Sequence, residues 1–245
     1  MTDVARNLDR VRERIAEAAL RVGREPAEIT LVAVTKTHPP EVVLDAHQAG
    51  VRHFGENRVG EGMAKIPAVR AALSGPRPTW HMVGHVQSRK AGDTVAHFDV
   101  VHSVDRLKIA RRFSRFAGEA ERTLPVLLEC NVSGEESKYG FDLSGWEREG
   151  ARRDAFFAAV EEILPLPGLA VEGLMTMAPF VVDPETVRPV FGSLRALLDA
   201  LRERFPDHGW PHLSMGMTDD FEVAIEEGAT MVRVGRAIFG KRRTR

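Results

Sequence analysis

A chain of 245 residues with 43% hydrophobic and 28% charged residues suits one large α/β domain or two small ones. A formal net charge of −1 argues neither for nor against nucleic acid, and the concentrated basic run at 241–245 reads as a solvated end. The single cysteine, Cys130, excludes an intramolecular disulfide or a cysteine-based zinc cluster, no apolar run nears the roughly 20 residues that span a bilayer, and no apolar h-region marks a secretory signal, so a reducing cytoplasm is the expected compartment.

The chain opens on a helix. Val4, Leu8, Val11, Ile15 and Ala19 recur at helical spacing, with Thr2 or Asp3 to cap the start and Gly23 to end it. Short β-branched runs then follow at 29–36, 51–57, 79–86, 99–104, 124–132, 169–177, 211–217 and 230–235. Between them lie helical patterns at 39–49, 57–73, 88–97, 105–119, 152–163, 185–205 and 219–227, with Gly50 and Gly228 as stops. Strands alternating with helices imply parallel pairing through right-handed crossovers. Eight strands in this length predict a (β/α)₈ TIM barrel with an extra N-terminal helix closing its bottom, as a single domain over 1–245. An open doubly wound sheet is the rival, weakened because no G-x-G-x-x-G follows the first strand. The polar stretch at 133–150 reads as a long loop on the C-terminal face.

Chemistry in such barrels gathers where strands end. The first strand ends in Lys36, where desolvation favours the neutral amine that attacks carbonyls and forms a Schiff base. The bland alternative is a lysine that has reached solvent. The second strand ends in Glu56 and Asn57, and the later strands carry His81, Gly84, His102, Ser103, Asn131, Met175 and Thr176. Ser214, Gly216 and Met217 follow the seventh, and Gly235 ends the eighth, so two adjacent glycine turns suggest a phosphate cradle or, more plainly, tight turns. Arg233 sits inside the run MVRV, where a charge must be paired or face the mouth; a core carboxylate such as Glu172 is the competing partner. His81 and His85 read as structural, and Cys130 and Trp80 as core. An amine, a phosphate cradle and a ring-facing arginine together suit pyridoxal 5′-phosphate (PLP).

The stretches AVTKT (33–37), HFGENRVGE (53–61), WHMVGHVQSRK (80–90), NVSGEESKYGF (131–141), EGLMTM (172–177) and LSMGMTDDFEVAIEEGATMVRVG (213–235) run in order over nearly the whole chain. With these motifs the sequence resembles the pyridoxal-phosphate homeostasis proteins, which are similar to the N-terminal barrel of alanine racemase. The resemblance implies that Lys36 forms the internal aldimine, that Asn57 lies near the ring, that Arg233 bonds the pyridine nitrogen, and that Ser214, Gly216, Met217 and Gly235 hold the phosphate. Three positions depart from the family pattern. His38 stands where many members have a second lysine, Arg236 where many have Ser or Thr, and GHVQSRK replaces GPLQSNK. Lys138 matches a lysine common in the family.

Racemisation needs a second base on the opposite face of the ring. The single tyrosine, Tyr139, lies in the long loop, and no second base is assignable. The expected role is therefore a PLP carrier and buffer rather than a turnover enzyme, monomeric or weakly dimeric, with PLP-dependent apo-enzymes as recipients and no membrane or nucleic-acid partner. An amino-acid racemase using Tyr139 and a cofactor-free lysine aldolase remain open alternatives.

Overall fold

Each β-branched run in the sequence becomes a parallel strand: β1 (Thr30–Val34), β2 (His53–Glu56), β3 (Thr79–Met82), β4 (Val100–Val104) and β5 (Leu124–Asn131). A two-residue strand, β6 (Phe141–Asp142), precedes β7 (Leu169–Met175), β8 (His212–Ser214) and β9 (Met231–Val234). The computed structural model describes residues 3–240; the capping candidate Thr2 and the basic run at 241–245 lie outside the described residues. Neighbours run β4-β3-β2-β1-β9-β8-β7-β5, and a β4–β5 pairing closes the cylinder. The eight-stranded parallel barrel is therefore present as expected.

The helices α1 (Asp3–Arg21), α2 (Pro40–Gln48), α3 (Val59–Ala72), α4 (Ala91–His97), α5 (Leu107–Glu119), α6 (Gly150–Ile163), α7 (Arg188–Arg204), α8 (Phe221–Glu226) and α9 (Arg236–Phe239) surround it. Among the described residues no helix is long and apolar enough to cross a membrane. Alternation along each strand sends one side chain outward and the next inward. The outward set, including Phe54, Trp80, Val101, Leu128 and Leu174, packs under the helices at zero exposure. The inward set holds a small apolar cluster of Leu127, Met175 and Met231. It also holds a set of buried polar side chains, treated below.

The place of α1 differs from expectation. It does not close the bottom. Its buried stripe of Leu8, Val11, Ile15, Ala18 and Ala19 packs in the outer ring between α8 and α2. Asn7 Nδ2 donates to Ile238 O at one end, and Arg24 Nη1 donates to Ala229 O (2.9 Å) at the other. Arg14 pairs with Glu222 of α8, and Arg12 donates to Ala49 O beside α2. The physical reason is that α9, which follows the last barrel strand, has a single turn. The ring position it leaves uncovered is filled by the amphipathic helix from the other end of the chain.

The stretch 133–150 is less irregular than its composition suggests. β6 lies parallel to the tip of β5, with Cys130 opposite Phe141 and Asn131 opposite Asp142. Cys130 is buried, as expected of a small hydrophobe.

Candidate functional site

β1 stops at Val34 because the next residues turn. Thr35 N still bonds Gly55 O, but Thr37 adopts φ 68°, a left-handed conformation that a threonine avoids unless its surroundings impose it. The surroundings are a buried charge cluster. Thr35 Oγ1 donates to Glu56 Oε1 (2.6 Å), and Lys65 Nζ of α3 reaches Glu56 Oε1 (2.5 Å), Thr35 O (2.7 Å) and Glu61 Oε1 (2.9 Å). Glu61 also accepts from Thr37 N. Burial raises the Glu56 pKa while Lys65 opposes that rise. Glu56 thus turns away from the mouth and fixes the turn that carries Lys36. Asn57, next in the chain, does line the mouth. Gly84 makes that possible, since a Cβ there would stand 2.3 Å from Asn57 O.

Across the barrel, Arg233 is almost wholly buried and donates to Ser214 Oγ (2.6 Å) and Thr176 O (2.8 Å). Burial pulls its guanidinium down to about 10, against the pull of Asp220 and Glu129, so it stays a cation at neutral pH. Glu172 is not its partner; that carboxylate lies 3.9 Å from His212 Nε2. Ser214 is fully buried, its hydroxyl engaged by Arg233 and His102, one layer beneath the cavity. Gly216 also lies beneath. A Cβ there would sit 2.6 Å from that of Ala224, so glycine lets α8 pack close to the strand end. Met217 N bonds Asp220 Oδ1, and Thr218 Oγ1 accepts from Ala237 N (3.4 Å).

These walls enclose a cavity of about 600 Å³, a size suited to a cofactor. Lys36, Asn57, Met217, Arg233 and Gly235 line it together, whereas Ser214 and Gly216 shape it from below. Four cationic side chains, Lys36, Lys138, Arg233 and Arg236, face one carboxylate, Asp219, among the lining residues. Asp219 pairs with Arg236. The 133–150 segment reaches over the edge: Lys138 donates to Met177 O (2.8 Å) and pairs with Glu135. Tyr139 stacks on His85, ring centroids 3.7 Å apart, and is not part of the lining. His85 Nδ1 lies 2.8 Å from Asp105 Oδ2. His38 packs its ring against Phe239.

His81 and His102 point into the barrel rather than the cavity. Burial holds His81 at about 3 and His102 well below its ordinary value, so both are neutral. Among the described residues no group of three or more His, Cys, Asp or Glu is arranged to hold a metal ion. Sequence reasoning placed Thr218 at the end of the seventh strand without giving it a role, and did not single out Lys65 or Glu61. The Glu61 to Lys65 spacing of four on a predicted helix was the available signal for the last two.

A match to the alanine racemase N-terminal domain family spans residues 6–243. Proteins named pyridoxal phosphate homeostasis protein are 41% identical over 242 residues in Pseudomonas aeruginosa and 42% identical over 245 residues in Escherichia coli K12. The first alignment covers 99% of this chain and 97% of the relative, the second 99% and 98%. PipY of Synechococcus elongatus, solved with PLP bound, is 35% identical with a TM-score of 0.78, covering 94% of this chain and 100% of that one. An alanine racemase of Clostridium difficile, 17% identical with a TM-score of 0.71, covers 98% of this chain and 56% of that one, and shares the fold.

Proposed function

The chain belongs to the alanine racemase N-terminal domain family and, within it, to the pyridoxal phosphate homeostasis proteins, and from that premise we propose that it binds PLP reversibly on Lys36 and buffers it. One observation carries the reading. An amine at the end of β1 and a buried guanidinium on β9 line the same cavity, whose charged residues are mostly cations. PLP supplies an aldehyde, a pyridine nitrogen and a phosphate ester, and the three needs match what this cavity offers. Lys36 is the amine for the aldehyde. Arg233, an obligate donor, faces the ring nitrogen and keeps it unprotonated, which weakens the ring as an electron sink. Asn57 flanks the ring. The phosphate is assigned to the wall formed by Met217, Thr218, Gly235 and Arg236, with Ser214 and Gly216 holding that wall from behind.

The reading extends to a carrier rather than a turnover enzyme. Its support is the position of Tyr139, stacked on His85 and outside the cavity lining, which leaves no hydroxyl opposite Lys36 from the one tyrosine of the chain. We take residues 1–245 as one domain acting in the cytoplasm, with PLP-dependent apo-enzymes as recipients. The test is an absorption spectrum of purified protein with PLP before and after borohydride, followed by a peptide map. Label on Lys36 is expected; label only elsewhere refutes the site. Rapid exchange of the α-hydrogen of alanine in heavy water refutes the carrier reading. Protein that gains no colour with PLP refutes the whole and favours a cofactor-free lysine enzyme.

A further inference from the structure

Beneath Arg233 a row of polar groups crosses the barrel, all of them buried except the half-buried His53 at its end. His53 Nδ1 lies 3.0 Å from His81 Nε2, His81 Nδ1 lies 2.8 Å from His102 Nε2, and His102 Nδ1 lies 2.9 Å from Ser214 Oγ. The first steps pass between neighbouring strands β2, β3 and β4. The next crosses the interior to β8, and Arg233 on β9 ends the row. At its other end His53 lines a second cavity of about 360 Å³ near the N-terminal ends of β1 and β2, together with Arg12 and Arg52.

We infer that His53, His81, His102 and Ser214 form a hydrogen-bonded chain of fixed direction that positions Arg233 for the ring nitrogen of the cofactor. The direction follows from donor and acceptor counting. Arg233 can only donate, so Ser214 Oγ accepts from it. The Ser214 hydroxyl is fully buried and must itself donate, and among the described residues its other partner is His102 Nδ1. His102 therefore carries its proton on Nε2 and donates to His81 Nδ1. His81 in turn donates from Nε2 to His53 Nδ1, and the proton of His53 sits on Nε2, at the far end of the chain.

Burial first, and the surrounding charges after it, keep His81 and His102 neutral. His212 from β8 and Arg233 from β9 face the rings, and both disfavour a further proton on His102. Arg12 and Arg52 share the base cavity with His53. The acids Glu129 on β5 and Asp220 after β8 act on Arg233, and Glu172 on β7 lies beside His212. A reversed chain would put His102 Nδ1–H on Ser214 and turn the hydroxyl proton toward the guanidinium, donor against donor. Fixed direction thus keeps the Ser214 lone pairs on Arg233, and each histidine acts as a positioning residue.

The inference rests on PLP binding with Arg233 at the ring nitrogen, so the experiment separates the two. Nitrogen-15 NMR of histidine-labelled, cofactor-free protein is expected to show His81 and His102 as neutral Nε2–H tautomers from pH 5 to pH 9. An Nδ1–H tautomer or an imidazolium at either residue overturns the chain. PLP is then titrated by absorbance into folded wild type, His81→Leu and His81→Gln, with a separate thermal melt of each to show that it is folded. Leu breaks the row, and about tenfold weaker binding is expected with the borohydride label still on Lys36. Gln can accept and donate, and affinity within about threefold of wild type is expected. Unchanged affinity in His81→Leu, or a Gln variant no better than Leu, overturns the positioning role. Where His81→Leu does not fold, the Gln variant and the NMR decide. Wild type that takes up no PLP refutes the proposed function, and the NMR still decides the chain.

Discussion

Glu129 is a carboxyl with 2% exposure and one oxygen, Oε2, without a hydrogen-bond partner among the described residues. Burial, helped by Asp105 and opposed by Arg233, raises it from an ordinary value of 4.5 to about 7. The folded protein therefore holds this proton more tightly than the unfolded chain does. The stability it confers is complete below pH 4.5 and is lost as pH rises to about 7. At 1.36 kcal/mol per pH decade the full effect is about 3 kcal/mol, of which about 2 kcal/mol falls between pH 5 and pH 8. Glu129→Gln keeps the shape and removes the titration. Urea unfolding of both proteins without cofactor should show the variant gaining about 2 kcal/mol over wild type on going from pH 5 to pH 8. The same difference at both pH values would refute the assignment of a protonated carboxyl. A difference that shrinks with pH would mean Glu129 is ionised in the fold and bonded to Arg233.

Lys36→Ala should fold cooperatively, with a melting temperature near that of wild type, and lose the borohydride-fixed label; loss of the unfolding transition would contradict its place at the mouth. Lys65→Met leaves Glu56 buried without its cation and should cost about 3–5 kcal/mol in urea unfolding, and the double variant with Glu56→Gln should recover most of it. If the double variant is no more stable than the single one, the pairing is not what Lys65 contributes. Gly84→Ala drives a methyl against Asn57 O, so a cost of about 1–3 kcal/mol and weaker PLP binding are expected; a melting temperature unchanged within about 1 °C would show that the turn yields freely.

The barrel was legible because parallel strands buried on both faces read as near-continuous apolar runs, and a polar residue ending such a run stands out. Lys36 and Asn57 were found that way, Arg233 as a charge inside such a run and Gly235 as a turn glycine, and all four line one cavity. Other features were hidden for identifiable reasons. An apolar stripe says that α1 is buried but not against what; its partner depended on α9 being one turn long, which only the folded chain reveals. Ser214 and Gly216 sit at a strand end like the others, yet strand alternation and the packing of α8 turn them beneath the floor. The contact from His102 to Ser214 joins residues 112 apart in sequence and exists because the cylinder closes at the right stagger. No local pattern encodes that distance.

The buried acids explain how the cavity keeps its charge. Glu56, at the end of β2, and Glu129, on β5 and acting on Arg233, are two of the four buried carboxyls among the described residues. Either one, ionised and turned toward Arg233 or Lys36, would occupy the groups proposed to meet the ring nitrogen and the aldehyde. Each is disarmed differently. Glu56 is held by Lys65 and Thr35, outside the cavity lining. Glu129 is left in a site so dry that it keeps its proton up to about pH 7. The guanidinium of Arg233 consequently meets a hydroxyl and a carbonyl instead of a carboxylate, and the positive potential it creates remains directed at the mouth. The instability that Glu129 carries above pH 7 follows from the same burial that keeps the cavity cationic below it.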